Sequence, residues 1–135
     1  MMFMKKPYSL KINTHKSGKA AEFICRCYMR LSGYRIVAKN YRCGRGKNTP
    51  YGELDFIALK HNTLVFCEVK KRKKNSDFLF ALSSNQQKRI LNGAQYFIRK
   101  NPQFSSFSQR FDVFFVRFPF YVKHIKNALH RDFIA

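Results

Sequence analysis

Two short apolar segments of the chain contain carboxylates, although carboxylates are scarce elsewhere. The segments are GELDFI at 52–57 and LVFCEVK at 64–70. The chain has 27 Lys and Arg but only seven Asp and Glu, and three of those acids fall between Glu53 and Glu68. An ionised carboxylate is costly to remove from water unless a cation lies beside it. These acids therefore need a cationic partner, and the fold has to bring that cation and the two segments together.

Both segments are predicted to be β-strands that pair as a hairpin. Each is rich in β-branched and aromatic residues, and the polar tetrapeptide KHNT at 60–63 separates them as a turn would. Alternation assigns Asp55 and Ile57 to one face of the first strand, and Glu68 and Lys70 to one face of the second. Apolar residues on both faces indicate central strands packed on two sides. The opposite faces carry Leu54, Phe56 and Ala58 in the first strand and Val65, Cys67 and Val69 in the second.

A divalent metal ion is the cation that best explains two carboxylates in such a place. If the strands pair so that Asp55 lies near Glu68, the carboxylates converge and Lys70 projects beside them. Oxygen ligands with positions left for water and phosphate are what Mg²⁺ prefers. Such an ion polarises a phosphoryl oxygen and acidifies a bound water. Lys70 would stabilise charge developing on the phosphate or help to deprotonate the nucleophile.

This pattern, an acid on one strand and Glu-x-Lys on the next, resembles the PD-(D/E)xK signature of restriction-endonuclease-like nucleases. Four ordered blocks are similar, more closely, to those of the small YraN-like bacterial family, over about residues 16–130. The resemblance implies a restriction-endonuclease-like α/β fold, Mg²⁺ or Mn²⁺ as cofactor, ligation by Asp55 and Glu68, and catalysis by Lys70. The blocks are GELDFI at 52–57, VFCEVKKR at 65–72, RFDV at 110–113 and HIKNAL at 124–129.

Glu22 is a further candidate, on a helix predicted from about Ser17 to Gly33. As a surface residue it would pair with Arg26 or lie favourably near the helix dipole. Many nucleases of the resembled fold bring a Glu from the first helix to the metal, so the resemblance implies that role for Glu22, and Glu53 would likewise assist through the metal or its waters. The apolar stripe predicted for this helix consists of Ala20, Ile24, Cys27 and Leu31, widened by Ala21, Phe23 and Tyr28.

The formal net charge of +20 on 135 residues predicts a polyanionic partner, with nucleic acid ahead of a membrane surface. A solvated basic surface is the alternative. The bases that follow Lys70 would clamp a phosphate backbone beside an acidic pocket, or form an ordinary solvated loop. A basic, glycine-rich loop from Asn40 to Pro50 precedes the acidic strand, and it is longer than in the resembled family by a few residues at 47–51. The candidate nucleic-acid-binding residues are Arg42, Arg45, Lys47, Lys71, Arg72, Lys73, Lys74, Gln87 and Lys88.

The chain is predicted to form one domain over 17–135, preceded by a flexible basic arm at 1–16. Helix, three strands, helix and strand follow in order, which predicts an α/β domain with a mixed central sheet flanked by helices. Asp112, on the last of these strands, is interpreted as the structural partner of a nearby Arg or amide. No segment has the length of a membrane helix, and a cytoplasmic protein with reduced cysteines is expected.

Three functions remain open from the sequence. The first is a metal-dependent nuclease that hydrolyses DNA, with DNA favoured over RNA. The resemblance to Holliday-junction resolvases implies branched, flapped or damaged DNA as the target, and allows a homodimer. The second is a non-catalytic nucleic-acid binder, in which the basic surface provides the whole function and the acids are a structural relic. The third is an interaction protein that docks on an acidic protein or on the ribosome.

Overall fold

The computed structural model describes residues 18–44, 50–72, 82–118 and 121–129. They form a five-stranded mixed sheet with a helix packed on each face. This confirms the predicted α/β class and is consistent with a restriction-endonuclease-like core. The predicted arm at 1–16 lies outside the described residues. The elements are helix α1 at 18–31, β1 Arg35–Cys43, β2 Gly52–Lys60, β3 Thr63–Lys71, α2 Ser84–Lys100, a 3-10 turn Pro102–Phe104, β4 Ser108–Arg117 and β5 Tyr121–Ile125.

The strands lie in the sheet in the order in which they occur in the chain. Only β3 and β4 are parallel, and α2 lies in the connection between them, as a parallel pair requires. The other neighbouring pairs are antiparallel. The predicted hairpin is confirmed, because Lys60 pairs with Thr63 across a turn in which His61 takes a φ of 53°. The two acidic strands are therefore interior strands.

Helix α1 packs on one face of the sheet, which we call the α1 face. Its buried residues are Ala21, Cys25 and Met29, one turn apart, and the first two are small enough to let the helix lie close to Phe56. The predicted apolar stripe was wrong in part: Ala21 is buried, but Phe23 and Leu31 are exposed, Leu31 to 90%. A helix of this kind has several apolar positions, and only packing decides which of them face the sheet. Gly33, with a φ of 94°, ends the helix as predicted.

Helix α2 packs on the opposite face, which we call the α2 face. Ser83 caps it in a reciprocal arrangement with Gln86: each side chain accepts a hydrogen bond from the backbone N–H of the other residue. Gly52 allows its close approach to β2, because a Cβ at that position would lie 2.3 Å from the backbone nitrogen of Gly93. Helix and strand are thus in backbone contact at the start of the acidic strand. Among the described helices, none is long and apolar enough to cross a membrane.

Strand β1 continues to Cys43, so the loop predicted to begin at Asn40 starts later than expected. Asn40 has a φ of 50° and lies between the pairs Lys39–Phe56 and Tyr41–Leu54, beside Asp55. Side-chain alternation in β2 breaks at the same level. Leu54 packs in the hydrophobic cluster on the α2 face, whereas Phe56 packs in the cluster on the α1 face. The prediction that the two share a face was wrong, and the change of face lies opposite Asn40, whose positive φ is irregular for a strand.

Asp112 is a structural residue, as predicted. Its buried carboxylate accepts hydrogen bonds from Arg110 Nε and Nη2, at 2.9 and 2.8 Å, and from the Asn127 backbone at 3.0 Å. The sequence did not indicate its fourth partner, His124 Nε2, at 2.7 Å. The His124 ring also stacks on Phe114 at 4.2 Å. This network joins the end of the described chain to the sheet.

Candidate active site

Asp55, Glu68 and Lys70 line one cavity, of about 260 Å³, between the α2 face and the start of α2. The side chains of Glu68 and Lys70 are 14% and 17% exposed, so solvent reaches both. Glu53 also lines it, and three residues of α2 close its other side. The full lining consists of Glu53, Asp55, Glu68, Val69, Lys70, Gln86, Arg89 and Ile90.

The cavity exists because β2 and β3 separate at this end of the sheet, a point that we call the strand fork. Their pairing ends at Phe56 and Cys67, although β2 begins at Gly52 and β3 continues to Lys71. Beyond it the Asp55 carboxylate accepts a hydrogen bond of 2.7 Å from the Val69 backbone N–H. Where the backbone pairing of β2 and β3 has ended, the Asp55 side chain thus supplies the hydrogen-bond acceptor. This contact fixes the Asp55 carboxylate beside Glu68.

The surroundings of Glu68 disfavour the charged form of its carboxyl group. Burial raises the pKa of Glu68 to about 8, together with the charge of the neighbouring Asp55 carboxylate and a hydrogen bond between the two carboxyl groups. Lys70 acts in the opposite direction, with its Nζ 3.1 Å from Glu68 Oε2. Two carboxylates in contact repel each other unless a proton or a cation is shared between them. The site therefore has room for more positive charge than Lys70 supplies.

Glu53 and Glu22 surround this pair without joining it directly. Glu53 lies in the cavity wall, 3.4 Å from Arg42 Nε, and accepts a hydrogen bond of 2.9 Å from the Tyr51 hydroxyl. Glu22 does not line the cavity, but its pKa is raised by burial and then by the charge of Asp55, with a smaller contribution from Glu53. Arg26 lowers it. Glu22 is thus within electrostatic reach of the site from α1.

The start of α2 contributes Gln86 and Arg89 to the cavity. The sequence indicates Arg89, together with Gln87 and Lys88, as a phosphate-attracting group at this helix start, but it predicts only Gln87 and Lys88 as site residues and does not indicate Gln86. Gln87 donates a hydrogen bond of 3.3 Å to the carbonyl of Leu82, and Lys88 is exposed outside the cavity lining. The available signal was helical spacing, because position 86 lies one turn before the buried Ile90.

The remaining basic candidates divide between the cavity's surroundings and segments that are not described. Lys71 is exposed and lies over the Phe118 ring, and Arg72 lies over the Phe115 ring. Arg42 pairs with Glu53. Arg45, Lys47, Lys73 and Lys74 lie outside the described residues, as does most of the longer loop at 47–51.

The donor set fits a magnesium-like ion held by few protein ligands. In the part of the chain that the structure describes, no three His, Cys, Asp or Glu side chains gather as a ready metal cage. Mg²⁺ commonly binds through one or two carboxylates and keeps several waters. Asp55 and Glu68 meet that requirement, and their mutual repulsion is what a divalent cation would relieve.

Comparison with known proteins identifies the family. The sequence model described as "Uncharacterised protein family UPF0102" matches residues 21–116. A UPF0102 protein of Rhodopseudomonas palustris (strain BisB18) is 35% identical over 118 residues, which is 87% of this chain and 83% of that protein. One of Nitrobacter winogradskyi is 35% identical over 107 residues, 79% of this chain and 86% of that protein. The matched region contains both acidic strands, α2 and all of β4 except its last residue, and the chain belongs to the UPF0102 family, as its YraN-like blocks predict.

Proposed function

We propose that this protein is a metal-dependent endonuclease that hydrolyses phosphodiester bonds in DNA. The observation that supports the proposal is the meeting of Asp55, Glu68 and Lys70 in one solvent-accessible cavity. Two acids and a lysine on adjacent strands form the arrangement that the sequence signature anticipates. A chain of net charge +20 that concentrates carboxylates at one point has both a reason to bind a polyanion and a place for a cation.

In this proposal Asp55 and Glu68 hold Mg²⁺ or Mn²⁺. The chemistry that such an ion supplies when bound is polarisation of a phosphoryl oxygen and acidification of a water. The Lys70 ammonium, anchored 3.1 Å from Glu68, donates to the phosphate as negative charge develops on it. Arg89, on the opposite wall of the cavity, attracts and orients the phosphate. Glu53 and Glu22 act through the electrostatics of the carboxylate pair.

The proposed substrate is branched, flapped or damaged DNA rather than a defined sequence. Basic residues around the cavity supply affinity for phosphate, which carries no sequence information. The resemblance to Holliday-junction resolvases favours DNA shape and strand interruption as the features recognised.

A non-catalytic nucleic-acid binder is the second candidate, and one contact favours it. The ion pair between Lys70 and Glu68 partly neutralises the cavity without any metal. In such a protein the acids would keep only a structural role, and DNA affinity would come from the basic surface. The two candidates differ in whether the protein cleaves DNA when a divalent ion is present.

Cleavage of branched and plasmid DNA in Mn²⁺ separates them. The parent, Asp55→Ala and Lys70→Ala proteins would be purified in parallel and assayed with Mn²⁺ and with EDTA. The proposal predicts nicking by the parent in Mn²⁺, none in EDTA, and a loss of at least about 100-fold in each variant. Binding of the same DNA would be measured beside cleavage.

Equal cutting by the parent and both variants would identify a contaminating nuclease and reject the proposal. Normal binding by all three proteins with no cutting by the parent would favour the second candidate. Affinity that barely responds to salt would contradict both, because phosphate contacts release counterions.

A further inference from the structure

Asn40 has an unusual backbone conformation for a residue inside a β-strand. Its φ of 50° lies in the left-handed region, which is uncommon for residues other than glycine and most unfavourable for β-branched ones. The residue lies on β1 directly opposite Asp55 in the register between β1 and β2, and it is exposed. The irregular backbone is therefore next to a candidate metal ligand.

Both paired strands lose their side-chain alternation at this level. In β1, Ala38 and Tyr41 pack on the same hydrophobic cluster although they are three residues apart, and in β2 Leu54 and Ile57 do the same. Residues three apart in a regular strand point to opposite faces. The pairs Ala38–Ile57 and Tyr41–Leu54 nevertheless keep one register, so the two strands change direction together. We call this shared irregularity, at residues 40 and 55, the paired kink.

The paired kink accounts for the direction of the Asp55 side chain. Its carboxylate accepts a hydrogen bond of 2.7 Å from the backbone N–H of Val69 on β3. A backbone N–H that takes part in a sheet points toward the neighbouring strand, so the accepting oxygen lies close to the plane of the sheet. Side chains of a regular strand stand roughly perpendicular to that plane. Asp55 can reach Val69, and the cavity beside it, because β2 is not regular here.

We propose that Asn40 is a positioning residue for Asp55. Its left-handed backbone conformation holds the paired kink, and the kink directs the Asp55 carboxylate to the Val69 N–H and into the candidate active site. Asparagine is one of the few residues besides glycine that adopt this conformation routinely. The inference rests on the proposed function for the role of Asp55 as a metal ligand, but the contact between Asp55 and Val69 is independent of it.

Hydrogen exchange of the Val69 amide tests the contact without metal or DNA. The rate would be measured in EDTA relative to amides in the paired part of β3. Asn40→Val, which disfavours a positive φ, is expected to speed this relative exchange about 10-fold or more, because the N–H loses its acceptor. Asn40→Gly adopts a positive φ freely and should stay within about twofold of the parent. Asn40→Ala should lie between them, and it keeps the test decisive if the valine variant fails to fold.

His61 supplies a matched control. It has a φ of 53° in the turn that joins β2 to β3, at the end of the hairpin away from the strand fork. His61→Val thus imposes the same kind of backbone penalty on the same hairpin without acting at Asp55. It should change the relative exchange of Val69 less than about twofold. An equal effect of His61→Val and Asn40→Val would overturn the positioning role, and so would a glycine variant that behaves like the valine variant.

Mn²⁺ affinity, measured by titration calorimetry, tests whether the placement of Asp55 matters to the site. Asn40→Val is expected to weaken Mn²⁺ binding about 10-fold or more, whereas Asn40→Gly and His61→Val should change it less than about twofold. Parent-like Mn²⁺ affinity in Asn40→Val, despite faster exchange of Val69, would overturn the positioning role.

Two outcomes separate this inference from the proposed function. A parent protein that binds no Mn²⁺ and cuts no DNA, but shows the expected order of Val69 exchange among the variants, would support the placement of Asp55 by Asn40 and reject the nuclease. A parent that binds Mn²⁺ and cuts DNA, with Asn40→Val equal to it in exchange, affinity and cutting, would do the reverse.

Discussion

Asp55 and Val69 are joined across the strand fork, where the Asp55 carboxylate accepts a hydrogen bond of 2.7 Å from the Val69 backbone N–H. One carboxylate therefore has two tasks. It satisfies a backbone group at the end of the β2–β3 ladder, and it contributes negative charge to the cavity. Substitutions that separate these tasks test whether the acid is kept in place for structure, for a metal, or for both.

Asp55→Asn keeps an oxygen that can accept from Val69 but removes the charge. We expect Asp55→Ala to lose about 1–3 kcal/mol of unfolding free energy, because the backbone N–H loses its acceptor, and Asp55→Asn to lose much less. Both variants should weaken Mn²⁺ binding by more than about 10-fold. Urea unfolding and titration calorimetry measure the two effects. Tight Mn²⁺ binding by Asp55→Asn would contradict a ligand role.

Glu68 predicts a pH dependence of stability in metal-free protein. Its pKa in the folded chain is raised to about 8 by burial and by Asp55. A raised carboxyl pKa means that the stability present when the group is protonated is lost as pH rises from about 4.5 through 8. In EDTA, the melting temperature of the parent should therefore fall relative to that of Glu68→Gln between pH 6 and pH 9. Parallel curves for the two proteins would show that Glu68 is not strained.

Gly52→Ala tests the backbone contact that sets the position of α2. The added Cβ would lie 2.3 Å from the Gly93 nitrogen, and backbone cannot rotate away as a side chain can. We expect a loss of about 1–3 kcal/mol of unfolding free energy. Gly18→Ala is the control, since a Cβ there meets nothing within 4 Å. Equal stability of the two variants in urea would mean that α2 does not depend on this contact.

The placement of the acids was predictable from sequence, because alternation and pairing in a hairpin depend on local residues. The separation of β2 and β3 at the strand fork could not be predicted from the sequence. Leu54 packs on the face opposite to that of Phe56, and no local pattern in the sequence marks this change. Arg89 reaches the cavity only because Gly52 and Gly93 let α2 approach, which joins residues about 40 positions apart. Non-local packing of this kind also gave His124 its place beside Asp112.

Asp112 predicts acid sensitivity. Burial alone would raise its pKa, but hydrogen bonds from His124, Arg110 and the Asn127 backbone outweigh burial and lower it. A lowered carboxyl pKa gives stability that is present above the unfolded value and is lost as pH falls through the folded value. Asp112→Asn should cost about 3–5 kcal/mol at pH 7, because it leaves Arg110 without its buried partner. A loss below about 1 kcal/mol in urea unfolding would contradict this account.

The most direct test of the central claim is the single-turnover rate at which saturating protein cuts branched DNA in Mn²⁺, compared between Lys70→Met and Lys126→Met. Both variants remove one lysine charge, but Lys126 is exposed and lies outside the cavity lining. We predict that Lys70→Met slows cleavage by about 100-fold or more, whereas Lys126→Met cuts at the parent rate. Equal rates for the two variants, with equal amounts of DNA bound, would contradict a catalytic site built on Asp55, Glu68 and Lys70.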